Sequence, residues 1–322
     1  AETAVKNGCE LKRNFCVSSI DKTEEGFEIS SDADKVSARY VINAGGVYAD
    51  KISRMVCDTS FEIIPTAGEY YLLDKAEGSR VSSVIFQCPS KEGKGVLVAP
   101  TVHGNLIVGP NAVVRRDPDD TSDTAEGLDE VRTKAQKTVP GIEFRQNIRN
   151  FAGVRANSTV DDFIIDFACE HFLNLAGIRS PGLTAAPAIA EYAAELLSKQ
   201  GLELVEKEDY DDSRKKVHFN KMTPEEREKL IEENPSYGRV ICRCETVTEG
   251  EIIDAVHSPI TPVSVDGIKR RAGTGMGRCQ GGFCGPRVVD ILSRELGVSP
   301  LDILQDREGS FILTSRTKSE VE

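Results

Sequence analysis

The chain has 322 residues, of which 39% are hydrophobic and 29% charged, an ordinary globular composition with length for about two domains. Its formal net charge of -12 argues against broad nucleic-acid binding, since that needs basic residues to neutralise phosphates. No apolar run approaches the roughly 18 to 20 residues of a membrane-spanning helix, so we expect no membrane span. Nine cysteines, an odd number, favour a reducing cytoplasm over a secreted disulfide framework.

Residues 1–58 predict alternating helices and strands, because short apolar runs alternate with polar turns. The predicted elements are a helix end at 1–6, strands at 11–20, 27–29 and 39–43, a turn at 21–26, and a helix from about residue 48. The last strand runs into the small residues Ala44, Gly45 and Gly46. Such a strand–turn–helix lets main chain approach a phosphate or a ring, although a tight turn without a ligand has the same pattern.

Residues 61–115 predict an antiparallel sheet, since β-rich runs are separated by turn residues. The predicted strands are 70–73, 81–87, 95–99 and 105–109, and a helix follows within 118–139. The non-periodic segment Phe151-Ala152-Gly153-Val154-Arg155 presents Arg155. A guanidinium at such a place suits phosphate or carboxylate, and a surface salt bridge is the alternative interpretation.

Two further strands are predicted at 163–166 and 172–175, followed by a second glycine-rich turn at 177–184. That turn opens an Ala-rich helix over 184–198, so its amides face out from a helix N terminus. Residues 201–238 are charge-dense and predict a linker with one helix. Thr223 caps that helix, with Pro224 at its first position and Glu226 three residues after the cap.

Four of the cysteines cluster in a compact module predicted from about 240 to 313. Their spacing is Cys242-x-Cys244, then 34 residues, then Cys279-x4-Cys284. Four converging thiolates are the ligand set of zinc or of an iron–sulfur cluster. A Cys-x-Cys pair is less usual for zinc, and the glycines around the second pair let amides point at sulfur, which favours a [2Fe-2S] cluster. The other cysteines are predicted to be small core residues, namely Cys9, Cys16, Cys57, Cys88 and Cys169.

The segments Cys-Arg-Cys-Glu-Thr-Val-Thr at 242–248 and Gly-Met-Gly-Arg-Cys-Gln-Gly-Gly-Phe-Cys-Gly-Pro-Arg at 275–287 resemble the bacterioferritin-associated-ferredoxin-like [2Fe-2S] domain. The resemblance implies a small helical module with the four cysteines as ligands on loops. The spacing of the second pair is longer than in the free-standing ferredoxins. A basic run at 269–271 is interpreted either as a solvated turn or as a docking patch for an acidic redox partner.

The first 200 residues resemble the FAD-dependent D-amino-acid-oxidase-like superfamily, in particular the anaerobic glycerol-3-phosphate dehydrogenase catalytic subunit type. The resemblance rests on four segments, Asn43-Ala44-Gly45-Gly46, Pro65-Thr66-Ala67-Gly68-Glu69-Tyr70, 151–155 and 177–184. It implies that Arg155 binds the anionic part of the substrate. It also implies flavin contacts from Val17, Ala44, Gly45, Gly46, Gly177, Ile178, Ser180, Gly182, Leu183 and Thr184.

One feature of the superfamily departs from this pattern. No Gly-x-Gly-x-x-Gly turn, which would hold the FAD pyrophosphate, precedes residue 46. The chain therefore resembles a C-terminal piece of a longer enzyme. We expect it to bind FAD weakly or not at all and to be inactive alone.

The predicted fold class is α+β, with an incomplete α/β FAD-binding domain, an antiparallel-sheet substrate domain and a small, mostly helical C-terminal cluster-binding domain. The predicted boundaries are 1–58 with 150–200 for the FAD-binding domain, 59–149 for the substrate domain, 201–238 for the linker and 239–314 for the [2Fe-2S] domain.

The resemblance implies oxidation of glycerol 3-phosphate, or a similar small anionic substrate, with electrons passing from FAD to the [2Fe-2S] cluster. An electron-accepting redox partner or another subunit would follow, and any membrane association would be made through a partner. An amine, opine or 2-hydroxyacid dehydrogenase of the same superfamily is the alternative within this class. Outside it, the alternative is a non-catalytic electron-transfer or zinc-binding module. No catalytic base is predicted.

Overall fold

The computed structural model describes residues 1–88, 95–214 and 216–317, and the chain folds into two compact units. One unit is formed by Lys12–Glu206. The other combines Ala1–Leu11 with Lys207–Glu322. The opening helix, α1 (Glu2–Lys6), belongs to the latter unit and ends at Asn7 as predicted. The four-part division into domains stays a prediction.

The unit Lys12–Glu206 begins with an antiparallel meander of β1 (Ser19–Thr23), β2 (Gly26–Ser30) and β3 (Lys35–Ala38). The predicted strand over 11–20 is therefore wrong for most of its length, since the chain turns at Asn14 with φ 58°. The predicted turn at 21–26 is also too long, because Asp21 pairs with Glu28 inside the meander.

After the meander, β4 (Val41–Asn43) leads through the first glycine turn into α2 (Ala49–Arg54). A five-stranded antiparallel sheet follows in the chain, with one helix against it. Its elements are β5 (Ile63–Leu73), β6 (Leu97–Pro100), β7 (Leu106–Gly109), β8 (Val113–Val114), α3 (Ala125–Thr138) and β9 (Asn147–Ser158). The buried face of α3 contributes Val131 and Ala135 to the core of this sheet, as the apolar spacing predicted.

The longest pairing in the sheet joins β5 and β9, from Ile63 opposite Ser158 to Leu73 opposite Asn147. The sequence did not predict β9 as a strand. Conversely, the strand predicted at 81–87 is wrong. All of those residues are described, and the ladder contact there is a single bridge from Ile85 to Val98.

The chain then returns to the sheet that contains β4. Strands β10 (Ile164–Cys169) and β11 (Phe172–Ala176) form a hairpin, and β11 pairs in parallel with β4. Helix α4 (Gly182–Lys199) follows β11 after the second glycine turn. The two glycine turns therefore both follow parallel strands that lie side by side, at the same edge of one sheet.

The unit that contains the C-terminal residues is mostly helical, as predicted. Its remaining elements are α5 (Pro224–Glu233), β12 (Val240–Cys242), β13 (Val247–Thr248), α6 (Glu249–Val256), α7 (Val265–Ala272) and α8 (Gly285–Leu296). Thr223 and Glu226 form the predicted capping box of α5. The core is centred on the fully buried Ile252, Ile268 and Leu292.

The basic run at 269–271 is the last turn of α7 rather than a separate turn. Arg270 pairs with Asp306, and Arg271 donates to the carbonyls of Ile260 and Gly267. Cations at this end of a helix complement its dipole. The run therefore has a local structural role within this unit.

The prediction that the five cysteines outside the cluster are core residues is wrong except at Cys169, which packs against the core around Phe172. Cys9, Cys16 and Cys88 are exposed, and Cys57 and Cys169 are half-buried. Among the described helices, none combines the length and the apolar character needed to cross a bilayer.

Candidate flavin cleft and cluster site

The first glycine turn is shaped by a buried asparagine. The side-chain amide Nδ2 of Asn43 donates to Ala49 O and to Asn174 Oδ1, each at 2.8 Å. Its Oδ1 accepts from the amide of Gly45 at 3.1 Å. Because every polar atom of Asn43 has a partner, its burial fixes the path of the main chain between β4 and α2.

The surroundings of Gly45 favour glycine for a steric reason. A Cβ there would lie 2.5 Å from Ile52 Cδ1 and 3.0 Å from Asn43 Oδ1. Gly46 has φ 57°, and a Cβ there would have no described atom within 4 Å. The turn thus presses against α2 on one side and presents bare main chain on the other, where a ligand can approach closely.

The second glycine turn brings a helix N terminus to the same place. Gly177 leaves β11 with φ 62°, in the left-handed region that favours glycine. Helix α4 begins at Gly182, and no described side chain caps it. The amides of Gly182 and Thr184 donate to the carbonyls of Arg179 and Pro181, so what this helix start offers to a polar or anionic group is chiefly the positive end of its dipole.

The third segment at this place is the β9 strand, which carries Arg155 opposite Thr66 of β5. The guanidinium Nη2 of Arg155 donates to Asn111 O at 2.8 Å. It passes directly over Gly68, where a Cβ would lie only 2.1 Å from Nη2. The absence of a side chain on Gly68 is what leaves room for the guanidinium.

A buried carboxylate supports the loop that holds Arg155. Glu69 is fully buried, and its Oε2 accepts from Asn111 Nδ2 at 2.8 Å. Its Oε1 accepts from Thr124 N and Thr124 Oγ1, both at 2.9 Å, and from Arg115 Nη2 at 3.1 Å. The amide of Glu69 in turn donates to Asn111 Oδ1. A buried charge needs such partners. Glu69 therefore holds Asn111 in place, and the main-chain carbonyl of Asn111 in turn holds Arg155. No pattern in the sequence predicted this role.

Tyr70 is the nearest aromatic neighbour of this network on β5. Its ring stacks on Phe151 with centroids 5.1 Å apart. Burial raises the pKa of Tyr70, and the charge of Arg155 opposes that rise only partly. The phenol therefore stays protonated at neutral pH and can offer a neutral hydrogen bond.

The three segments line one open cleft of about 840 Å³. The predicted residues that line it are Ala44, Gly45, Gly46, Arg155, Ile178, Ser180, Gly182, Leu183 and Thr184. Val17 lies elsewhere, packed against Ile20, Phe27 and Phe172. Its contact with flavin, and the flavin contacts of the other residues, stay predictions.

The four clustered cysteines line a pocket of about 240 Å³ together with Arg243 and Phe283. Cys242 ends β12 and Cys284 precedes α8, and both are buried, with 1% and 2% exposure. Cys244 is exposed and Cys279 half-buried. The Sγ atoms of Cys244 and Cys279 lie 3.5 Å apart. The side chain of Cys284 is the largest influence on the pKa of Cys242, which indicates that these two buried thiols are neighbours. The four sulfurs therefore form two pairs.

Main-chain amides point at these sulfurs, as the glycine-rich loops predicted. The Cys284 thiol, followed by the amides of Gly275, Glu245 and Cys244, lowers the pKa of Cys242 to about 6 against the effect of burial. The pKa of Cys279 is also lowered, first by an amide hydrogen bond from Phe283 and further by one from Gly281. Such donors stabilise the thiolate form, which is the form that binds a metal.

One glycine of this loop is needed for packing. A Cβ on Gly277 would lie 2.3 Å from Cys244 Cβ and 3.3 Å from its Sγ. Both contacts are shorter than ordinary van der Waals distances. The loop that carries Cys279 can therefore approach Cys244 only because residue 277 has no side chain.

The donor set fits two metal ions better than one. Among the described residues, no three His, Cys, Asp or Glu side chains are placed to hold a single ion. Two thiolates bonded to one tetrahedral metal at about 2.3 Å lie about 3.8 Å apart, close to the 3.5 Å between Cys244 and Cys279. A [2Fe-2S] cluster takes two thiolates on each iron, so two pairs are the arrangement that it needs.

The class of protein that these two sites define is a redox flavoprotein, and comparison with known proteins agrees. Residues 1–196 match the family described as FAD dependent oxidoreductase, DAO, and residues 240–294 match the BFD-like [2Fe-2S] binding domain. The chain therefore belongs to the DAO family of FAD-dependent oxidoreductases and carries a BFD-like domain. Both resemblances in the sequence, and the fold class, are confirmed. FAD and a [2Fe-2S] cluster are the cofactors of these domains.

A glycerol 3-phosphate dehydrogenase from Caloramator mitchellensis is 47% identical over 325 residues, covering 100% of this chain and 68% of that protein. A glycerol 3-phosphate oxidase from Mycoplasma genitalium is 34% identical over 203 residues, covering 58% of this chain and 53% of that protein. The solved structure of dithionite-reduced L-alpha-glycerophosphate oxidase from Mycoplasma pneumoniae with FAD bound has a TM-score of 0.57 at 30% identity. It covers 65% of this chain and 56% of that one. The chain thus spans about half the length of the latter two proteins.

Proposed function

We propose that this chain is the part of a glycerol-3-phosphate dehydrogenase that carries the substrate anion site, one wall of the flavin cleft and the electron outlet. Arg155 carries the proposal, because it lines the cleft and the structure around it holds it in place, whereas the other arginine of the lining, Arg179, is paired with Asp161. The similarity to enzymes named for glycerol 3-phosphate supports this choice of substrate.

The cleft is suited to hold a flavin through its main chain. The bare turn at Gly45 and Gly46 permits close approach, and the α4 N terminus presents the positive end of its dipole to the polar edge of a bound ring. When bound, FAD supplies the hydride acceptor that no protein side chain can provide. Arg155 would hold the phosphate of the substrate by a charge-assisted hydrogen bond and so orient its carbon chain in the cleft.

The four cysteines would be the ligands of the cluster. Cys242, Cys244, Cys279 and Cys284 supply the thiolates, while the amides of Gly275 and Phe283 stabilise their charge. The cluster, when bound, supplies one-electron transfer. The exposed Cys244 and the 75% exposed Phe283 place one side of the site at the surface, where an electron-accepting partner or another subunit could reach it.

The test uses the holoenzyme that contains this chain, with steady-state turnover on glycerol 3-phosphate. Arg155→Gln should raise KM for glycerol 3-phosphate by about 10- to 100-fold, the cost of one charged hydrogen bond. Arg145→Gln, at an exposed arginine of the same unit, is the matched control and should leave KM unchanged. An Arg155→Gln enzyme with wild-type KM would remove Arg155 from the anion site.

The same assay separates the alternatives. Turnover of an amine, an opine or a 2-hydroxyacid in place of glycerol 3-phosphate would move the enzyme to another branch of the family. An absorption spectrum of protein purified without oxygen decides the remaining alternative. Zinc in the cysteine site and no visible absorption would favour a non-catalytic module, whereas separate flavin and [2Fe-2S] bands support the proposal.

A further inference from the structure

The cysteine pairing crosses the order of the sequence. Neighbours in the chain, Cys242 and Cys244, belong to different pairs, as do Cys279 and Cys284. The 3.5 Å separation of the Cys244 and Cys279 sulfurs fits two ligands of the same tetrahedral metal. Ligands of two different irons would lie farther apart, because the bridging sulfides separate the irons. The inner two cysteines of the sequence are thus placed for one iron and the outer two for the other.

The two pairs differ sharply in their contact with water. Cys242 and Cys284 are almost completely buried, whereas Cys244 is exposed and Cys279 half-buried. Reduction adds one negative charge to the cluster, and water stabilises that charge better than a desolvated interior does.

Hydrogen bonding does not offset this difference in solvent exposure between the two pairs. Both pairs receive main-chain donors, from Gly275, Glu245 and Cys244 on the buried side and from Phe283, Gly281 and Cys279 on the exposed side. Because each pair already has such donors, solvent exposure is the property that distinguishes the two.

We infer that Cys242 and Cys284 ligate a buried iron that stays ferric, and that Cys244 and Cys279 ligate an exposed iron that takes up the electron. This rests on the proposed ligation of a [2Fe-2S] cluster by these four cysteines. Reduction by dithionite then adds one electron to one iron per cluster, converting that ferric ion to ferrous, while dithionite is oxidised to sulfite. The exposed iron, beside Phe283, is the side from which the electron leaves.

The test is Mössbauer spectroscopy of the ⁵⁷Fe-labelled full chain, purified without oxygen and reduced with dithionite. An oxygen ligand in place of sulfur changes the spectrum of the iron to which it is bound. Cys244→Ser and Cys279→Ser should therefore both change the ferrous subspectrum, and Cys242→Ser and Cys284→Ser the ferric one. Cys9→Ser, at an exposed cysteine of the same unit, is the control and should change neither.

If the buried-pair variants fail to assemble a cluster, the exposed-pair variants still decide. Ferrous-site changes in both Cys244→Ser and Cys279→Ser support the inference. Changes at different irons would overturn the pairing, and changes at the ferric iron would overturn the electron assignment. These outcomes leave the cluster itself intact. A wild-type chain that holds zinc would instead defeat the proposed electron outlet and this inference together.

Discussion

The flavin cleft and the cysteine site are built in opposite ways. The cleft is lined mainly by main chain from three segments that are far apart in the sequence, around residues 45, 155 and 180. The cysteine site is lined by four side chains from two short loops of one helical module. A site built from main chain depends on which residues lack a side chain, and a site built from thiolates depends on which residues are cysteine.

This difference predicts different sensitivities to mutation. In the cleft, Gly45 is tied to its place by steric contact, and Arg155 depends on a buried network behind it. In the cysteine site, the cysteines and the glycine that lets the loops meet are close together in space. We therefore expect substitutions distant from the cleft to disrupt it, whereas the cysteine site should be disrupted mainly by substitutions in its own loops.

The largest expected effect comes from the network behind Arg155. Glu69→Ala leaves Arg115 without its buried carboxylate partner and removes the acceptor of Asn111. Breaking a buried pair on one side costs about 3–5 kcal/mol. Urea unfolding of the full chain should show a loss of that size in the free energy of unfolding of the unit Lys12–Glu206, while the cluster absorption should not change.

The matched control for this prediction is Asp129→Ala, which removes an exposed ion pair with Arg132 on α3 of the same unit. Exposed pairs contribute less than about 1 kcal/mol. A loss in Glu69→Ala no larger than in Asp129→Ala would mean that the buried network does not support the cleft.

The same difference between a main-chain site and a side-chain site explains how much of each could be predicted from the sequence. The cysteine spacing is a local pattern with chemical meaning, so Cys242, Cys244, Cys279 and Cys284 could be chosen without a structure. Which cysteines form each pair could not be predicted, because the pairing depends on how two loops meet in space. Burial, which separates the pairs, has no signal in the spacing either.

The sheet behind the cleft shows where sequence patterns failed. Strand β9 has few β-branched residues and contains Gly153, yet it is extended because β5 pairs with it along its length. The apolar run at 81–87 has better strand propensity, but Val84 and Phe86 are half exposed and only Ile85 bridges to the sheet among these described residues. The role of Glu69 could not be predicted from a local pattern either, since its four donors come from distant parts of the chain.

The next effect tests the cysteine site from its own loop. In Gly277→Ala the new Cβ meets Cys244 Cβ at 2.3 Å, and relieving that contact displaces Cys244. Overpacking of this kind costs about 1–3 kcal/mol, or about tenfold in cluster loading. Iron per chain after anaerobic reconstitution measures it. Gly285→Ala, where a Cβ meets no described atom within 4 Å, should load as wild type does, and equal losses in the two variants would contradict the steric argument.

A smaller effect is expected at the corresponding glycine of the cleft. In Gly45→Ala the closest atom to the new Cβ is Ile52 Cδ1, the end of a flexible side chain that can move aside. We expect a loss of about 1 kcal/mol in the free energy of unfolding of its unit. Gly153→Ala, which meets no described atom within 4 Å, is the control and should be neutral or slightly stabilising. If Gly45→Ala cost more free energy than Gly277→Ala does, the expected order of sensitivity of the two sites would be reversed.

The smallest effect concerns Tyr48, beside the first glycine turn. Its hydroxyl donates to Asp119 Oδ2 at 2.5 Å, and this bond, followed by burial, raises the pKa of Tyr48 to about 12. Tyr48→Phe should cost about 0.5 kcal/mol at pH 7, the low end for a hydrogen bond, since the partners are partly exposed to water.

The pH dependence of Tyr48→Phe follows from the sign of that shift. A raised pKa means that the stabilisation is complete below the unfolded pKa of about 10 and is lost as pH rises towards 12. The difference in free energy of unfolding between wild type and Tyr48→Phe should therefore be constant from pH 7 to 9 and smaller at pH 11. Urea unfolding at these three values measures it. A difference that grows at pH 11 would mean that Asp119 does not hold the phenol in its protonated form.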